Sequence, residues 1–139
     1  MLKLKELKEG DYVIAEYDGQ RVEGIVKDMH RDYDNQVCVE TPVQKFWFNR
    51  ENLSGIPVTD EQLLKLGFKK QENEDGSVKY MKGAFRIVTP LKGDFSHMEI
   101  WYREDHRHLT SGIFVHELQH HHLDMTKVDL LRDEPIRQS

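Results

Sequence analysis

The sequence predicts an α+β protein with an SH3-like small β-barrel followed by a helix, a three-stranded antiparallel sheet and a C-terminal helix. Three observations carry this prediction: β-rich runs joined by turns before residue 58, a helix signal directly after it, and a helical run near residue 115. The chain has 139 residues, enough for one ordinary domain or two small ones. We divide it into the barrel (1–58), an α-β-β-β-α unit packed against it (59–131) and a flexible tail (132–139).

The barrel prediction begins with a hairpin. Asp18-Gly19 stands between the runs YVIAEY and RVEGIVKDM, and an Asp-Gly pair suits the two-residue turn whose twist matches its strands. Two further β-rich runs, QVCVET and QKFWFN, are separated by Thr41-Pro42. Four or five short strands in about 58 residues favour a barrel, because closure removes the exposed edges of a small sheet.

The second half is predicted from capping and turn signals. Thr59 and Gln62 form a capping box at the start of a short helix, and Gly67 is placed to end that helix. Three β-like runs follow, VKYMKG, AFRIVTP and HMEIWYRE, whereas KKQENED before them is predicted to be a solvated loop. The closing helix is predicted from about Ser111 to Met125, and both helices can pack on one face of the sheet.

Composition restricts the classes of partner. The formal net charge of −5 is spread over both halves, so no basic half attracts a phosphate backbone, and nucleic acid is a secondary interpretation. The one cysteine, Cys38, cannot form a disulfide within the chain and fits a small buried hydrophobe. The sequence shows no signal segment and no window that could cross a membrane, which predicts a cytoplasmic protein without membrane contact.

Three segments carry a family resemblance: LKEGDYV, IPVTDEQLLKLGFKK and VHELQ. In this order they resemble small uncharacterised proteins carried by bacteriophages and mobile elements of gut bacteria. Those proteins have a Leu-x-x-Gly-Asp-x-Val strand, a Pro-Leu-Thr-Glu-Glu-x-Leu helix ending in Gly-Phe, and a Val-His-x-Leu-Gln-Asn helix. The chain departs from the pattern at Val58, where Leu is usual, and at His120, where Asn is usual. The resemblance implies the architecture and an accessory role, and it implies no reaction.

The run HELQH has the HExxH spacing of zinc-dependent hydrolases. On a helix, His116 and His120 lie on one face and could hold one zinc ion, while Glu117 acts as general base on a bound water. The helical pattern places both histidines opposite the apolar side. That side is predicted to contain Phe114, Val115, Leu118 and Met125.

A third zinc ligand is not evident from the sequence. Thr126 stands where the extended pattern has a histidine, and the upstream candidates are His97, His106 and His108. Three interpretations of the helix therefore stay open: a zinc hydrolase, structural or adventitious metal binding, and a solvated, partly packed helix. We expect no metal, cofactor or catalytic residue, with zinc and Glu117 as the alternative. His121 and His122 are expected to pack at the helix edge.

Aromatic residues of the barrel form the second candidate site. Tyr12, Tyr17, Tyr33 and Trp47 are candidate ligand-binding residues, because exposed aromatics on Tudor-like and other SH3-type barrels cage a methylammonium group or hold an extended peptide. Alternation in KFWFN places one of its faces in the core. We therefore predict a non-enzymatic interaction protein of a phage or mobile element that binds a protein partner. Zinc-dependent hydrolysis and single-stranded nucleic-acid binding by the barrel aromatics are the alternatives.

Overall fold

The computed structural model describes residues 7–29 and 35–133 of the chain. These residues form α+β structure made mostly of strands with two helices, as the sequence predicts. They divide into two compact units, the first ending at Ile56 and the second beginning at Pro57. The packing of one unit on the other stays a prediction, and residues 134–139 of the predicted tail lie outside the described part of the chain.

The first unit is one antiparallel sheet of five strands. They are β1 (Tyr12–Tyr17), β2 (Gln20–Met29), β3 (Gln36–Glu40), β4 (Lys45–Asn49) and β5 (Leu53–Ser54). Their order across the sheet is β4-β3-β2-β1-β5, and the sheet curls into a half-barrel. Within the described residues β4 pairs only with β3, and β5 only with β1. These two strands are therefore the edges, and with only two residues β5 offers little backbone for closure.

Turn geometry and small core residues explain this sheet. Asp18 and Gly19 have φ of 51° and 74°, the positive values that the predicted two-residue turn requires. Gly24 lies in β2, where an added Cβ would be 2.5 Å from Val39 Cγ1 and 2.8 Å from the Glu40 carbonyl oxygen. The core inside the curl consists largely of small apolar residues: Leu7, Val13, Ala15, Val26, Val37, Val39, Phe48 and Leu53.

The second unit combines two helices with a five-stranded antiparallel sheet. The helices are α1 (Asp60–Lys65) and α2 (Val115–Thr126), and the strands are β6 (Lys69–Glu72), β7 (Val78–Lys82), β8 (Phe85–Thr89), β9 (Met98–Tyr102) and β10 (Asp105–Leu109). The strands follow one another in chain order across the sheet. The three predicted strands are β7, β8 and β9. The prediction missed β6 and β10, because KKQE and DHRHL are polar and lack an apolar alternation. Neither described helix is long and apolar enough to span a membrane.

Both helices contact the same face of this sheet, as predicted. From the β7 side, the Tyr80 hydroxyl donates to Asp60 of α1 at 2.7 Å. From the β8 side, the Phe85 ring lies 4.6 Å from the ring of His122 in α2. Tyr80 and Phe85 share a face because the pairing of β7 with β8 sets Lys82 opposite Phe85. This face forms the core of the unit.

The two helix starts differ in how well local sequence determines them. Helix α1 begins as predicted, since the Thr59 hydroxyl accepts from the Gln62 amide at 3.3 Å. Helix α2 begins at Val115 and not near Ser111. Phe114 instead forms an extended bridge with Pro57, and the Val58 amide donates to the Ile113 carbonyl at 3.3 Å. This pairing between distant parts of the chain keeps the preceding residues out of the helix.

Candidate functional site

The edge strand β4 carries exposed aromatic side chains on both of its faces. Phe48 is buried and pairs with Val37 in the core of the half-barrel. Phe46, on the same face as Phe48, is 56% exposed, and Trp47, on the other face, is 37% exposed. Among the described residues no further strand pairs with the outer edge of β4, and large apolar side chains flank that edge.

The turn before β4 adds another apolar side chain beside these aromatics. The Thr41 hydroxyl accepts hydrogen bonds from the amides of Val43 at 3.2 Å and Gln44 at 3.1 Å, which fixes the turn. Val43 is exposed at its tip. We define Val43, Phe46 and Trp47 as the β4 edge patch.

Aromatic contacts hold part of this patch in place. The Phe46 ring lies edge-on to Phe48, with centroids 5.6 Å apart, and Phe48 lies 5.7 Å from the ring of Tyr17. The three rings therefore form a row that runs from the half-buried Tyr17 to the exposed Phe46. Edge-to-face packing of this kind contributes beyond simple burial, so the Phe46 ring is positioned before any ligand arrives.

The four aromatic residues named from the sequence lie in different environments. Tyr12 is only 2% exposed, whereas Trp47 is at the surface. Tyr17 is half-buried, and its hydroxyl has no hydrogen-bond partner among the described residues. Tyr33 lies outside the described residues. Sequence reasoning did not select Phe46, because alternation assigns it to the core-facing side but cannot show that the sheet ends at β4.

The buried cysteine lies next to the patch in the sheet. Cys38 in β3 pairs with Trp47 in β4 and is buried, as the sequence predicts. Burial is the main reason that the pKa of the Cys38 thiol is raised above its usual value. A thiol whose pKa is raised forms less of the reactive thiolate, so Cys38 acts as a packing residue.

The buried face of α2, the helix that contains HExxH, is not the face that the sequence predicts. His116 is 1% exposed, so the expectation that both histidines lie opposite the apolar side is wrong. The buried face of α2 consists of Val115, His116, Leu118, Gln119 and His122. Because Phe114 stands outside the helix and is exposed, the buried face shifts by part of a turn towards His116.

The remaining members of the motif have structural roles in α2. Glu117 accepts a hydrogen bond from the Phe114 amide at 2.9 Å and so caps the start of the helix. The His120 ring stands edge-on to His116, with centroids 5.8 Å apart. In the described ranges, no three His, Cys, Asp or Glu side chains are placed to hold a metal ion together. The HExxH pattern here therefore coincides with a helix cap and a core histidine.

The histidines of β10 lie on the sheet face away from α2. Arg107 points towards the helix, where it forms an ion pair with Asp124 and donates to His121 Nδ1 at 2.7 Å. Strand alternation then places His106 and His108 on the opposite face. Neither can supply a third ligand to His116 and His120.

Two histidines of α2 have pKa values that are lowered by their surroundings. An arginine can only donate, so the contact with Arg107 requires an unprotonated Nδ1 on His121. His122 Nδ1 lies 2.8 Å from the Val128 carbonyl, which can only accept, so this nitrogen carries a proton. Burial, aided by Arg107 at His121, lowers the pKa of both imidazoles. His122 is buried and His121 is half-buried, so both side chains pack against neighbouring residues, as expected.

The chain matches no protein-family model, and no curated protein or solved structure is significantly similar to it.

Proposed function

We propose that this protein is a non-enzymatic interaction module whose SH3-like first unit binds an extended protein segment along strand β4. The observation that supports the proposal is the exposure of Phe46 (56%) and Trp47 (37%) on opposite faces of an edge strand. A segment that pairs with β4 would gain main-chain hydrogen bonds from the edge. Its consecutive side chains would point to opposite faces and so would meet the two aromatic rings.

The other edges of the molecule show why β4 is distinctive. Natural sheets protect their edges with charged residues, short strands or bulges. Edge strands β6 and β10 follow this rule with the sequences KKQE and DHRHL, and β5 has only two residues. Strand β4, KFWFN, has one charge, at its first residue. Among the described edge strands, β4 lacks the protection that β5, β6 and β10 have. This contrast supports a binding role for β4.

The biological setting follows from the resemblance in the sequence. It favours an accessory protein of a phage or mobile element that acts in the cytoplasm, where a buried thiol such as Cys38 stays reduced. The partner segment is expected to be extended, with apolar side chains on both of its faces, because both faces of the β4 edge patch are aromatic or aliphatic. A continuous helix would meet only one face of the strand.

Selection from a displayed library of random peptides tests the proposal directly. We expect enriched peptides to contain consecutive apolar residues, one for each face of the strand, and to bind the full chain in a fluorescence polarisation titration. Trp47→Ala and Phe46→Ser should each weaken binding by more than about tenfold, the scale of an interface anchor. Leu91→Ser, at an exposed apolar residue of the second unit, is the matched control and should leave affinity unchanged.

Two results would contradict this function. One is the absence of any selected peptide whose binding depends on Trp47 or Phe46. The other is salt-dependent binding of a single-stranded oligonucleotide that is lost with Trp47→Ala, which would favour the nucleic-acid alternative. Emission from Trp47, measured in a Trp101→Phe background, shows whether the bound peptide reaches the ring.

A further inference from the structure

The β9–β10 hairpin places a set of metal-binding side chain types on one face. Its register sets Glu99 opposite His108 and Trp101 opposite His106. These four side chains share the face that points away from α2, since Arg107 between the histidines contacts the helix. This face points away from the HExxH helix and belongs to the second unit, whereas the β4 edge patch belongs to the first.

One carboxylate oxygen lies close to a ring nitrogen of each of the two histidines. Glu99 Oε1 is 3.6 Å from His106 Nε2 and 3.9 Å from His108 Nδ1. Both separations are too long for hydrogen bonds, so the three polar atoms approach one another without being bonded. The His106 ring is stacked on Trp101, with centroids 4.0 Å apart and an interplanar angle of 19°. This stacking fixes the plane of the imidazole while its Nε2 faces the carboxylate.

A cleft beside the carboxylate provides room for an ion and a further ligand. It has a volume of about 200 Å³ and is lined by Val88, Pro90, His97, Met98, Glu99 and His108. His97 uses its Nδ1 in a 3.1 Å contact with the Ser96 hydroxyl, which leaves Nε2 as the nitrogen that can bind a metal. The polar groups of the cleft are thus a carboxylate and two imidazoles.

We propose that Glu99, His106 and His108 bind a divalent transition-metal ion of the zinc class, with His97 as the fourth ligand. In a tetrahedral site with bonds of about 2.0–2.1 Å, neighbouring ligand atoms lie about 3.3 Å apart. The two observed separations exceed this value slightly. As the side chains stand, no three in the described parts of the chain converge on one point. An ion would draw these exposed or half-exposed side chains together by about half an ångström.

The ligand chemistry selects the class of ion. Imidazole nitrogens suit Zn²⁺, Co²⁺, Ni²⁺ and Cu²⁺, whereas Mg²⁺ and Ca²⁺ prefer sites built from oxygen atoms. The hairpin offers one carboxylate and two imidazoles on two hydrogen-bonded strands, and the third imidazole, that of His97, directly precedes β9. Because the strands are rigid, the ligand side chains lose less conformational entropy when a metal ion binds.

Titration of the untagged, metal-free full chain with Co²⁺ tests this site. We expect one equivalent to bind with a visible absorption band, and Zn²⁺ to displace it. His106→Ala and His108→Ala should each weaken Co²⁺ binding by more than about tenfold, because removal of even an outer-shell partner has an effect of this size. His120→Ala and His121→Ala in α2 are matched controls that keep the same number of histidines and should bind Co²⁺ normally.

Three outcomes would overturn the proposal. They are dissociation constants weaker than about 1 mM for both Co²⁺ and Zn²⁺, unchanged binding in the double variant of His106 and His108, and loss of binding with His120→Ala. Circular dichroism and the thermal midpoint of each variant establish that it is folded. Because these substitutions lie in the second unit and the β4 edge patch lies in the first, peptide binding tests the proposed function independently.

Discussion

The two five-stranded sheets of this protein bury their inner faces in different ways. The first sheet curls into a half-barrel around small side chains such as Val13, Ala15 and Val39. The second is covered by two helices, and its inner face carries larger side chains, among them Tyr80 and Phe85. In the curled sheet, small side chains allow strands on opposite sides of the curl to come close together. In the second unit, the helices lie about 10 Å from the sheet, so long side chains are needed to fill the space between them. Side-chain size thus indicates which kind of layer covers each sheet.

The sheets also differ at their edges, and this difference bears on function. The second sheet ends in polar strands and carries its candidate metal ligands on an open face. The first ends in an aromatic strand. The two tryptophans, Trp47 in the first unit and Trp101 in the second, allow each unit to be followed separately by fluorescence when the other tryptophan is replaced by Phe.

The largest expected effect is in the helix-covered core. Leu118→Ala should lower the free energy of unfolding by about 2–4 kcal/mol, because Leu118 is fully buried and its loss leaves a cavity. The denaturant midpoint of the Trp101 signal measures the change. Leu64→Ala, at an exposed position of α1, is the matched control and should cost less than about 1 kcal/mol. Equal effects at the two sites would mean that α2 does not pack as described.

The curled sheet should be most sensitive at its closest approach. Gly24→Ala is expected to cost about 1–3 kcal/mol, since the new methyl group would meet both Val39 and the backbone of Glu40. The Trp47 signal reports this change. Gly112→Ala in the second unit is the control, because the nearest atom to its added Cβ, the Phe95 carbonyl oxygen, is at an ordinary 3.9 Å. A neutral Gly24→Ala would show that the curl is looser.

Sequence alone predicted elements that are determined by local chemistry. The Asp18-Gly19 turn and the Thr59 cap each depend on a few adjacent residues, and both are found. Features that depend on distant pairing could not be predicted. The burial of His116 results from the bridge between Phe114 and Pro57, which no local pattern encodes. The exposure of Phe46 likewise depends on where the sheet ends.

Acid should weaken the second unit selectively. The pKa values of His121 and His122 are lowered in the folded state, whereas an unfolded histidine has a pKa of about 6.5. Above this pH both states are neutral and stability is unaffected. Below it the unfolded chain binds protons first, so stability falls until the folded pKa values are reached. The described part of the first unit contains no histidine.

Thermal midpoints between pH 7.5 and pH 5 test this contrast. The midpoint of the Trp101 signal should fall through this range, and His121→Gln should reduce the slope. A Trp101 midpoint that rose towards acid would contradict the lowered pKa values of these two rings. Lowered carboxylate pKa values, such as that of Asp60 beside Tyr80 and Lys70, contribute only at lower pH.

The cap of α1 is a smaller and local contribution. Thr59→Ala should cost about 1 kcal/mol through loss of the acceptor for the Gln62 amide. Thr59→Ser keeps a hydroxyl at the same position and should retain most of the stability. If alanine and serine behaved alike in urea denaturation, the hydroxyl would not be the group that stabilises the helix start.

The smallest effect is expected at Glu117, where a helix cap and a catalytic base predict opposite results. Glu117→Gln keeps a side-chain oxygen that can accept from the Phe114 amide, and it loses only the favourable charge at the helix start. We expect a cost of at most about 0.5 kcal/mol and unchanged peptide binding. Glu117→Ala removes the acceptor and should cost about 1 kcal/mol. A general base would be lost equally in both variants.

One outcome would contradict the interaction module. If the wild type had a zinc-dependent hydrolytic activity, and Glu117→Gln abolished that activity at full stability, HELQH would be a metal site.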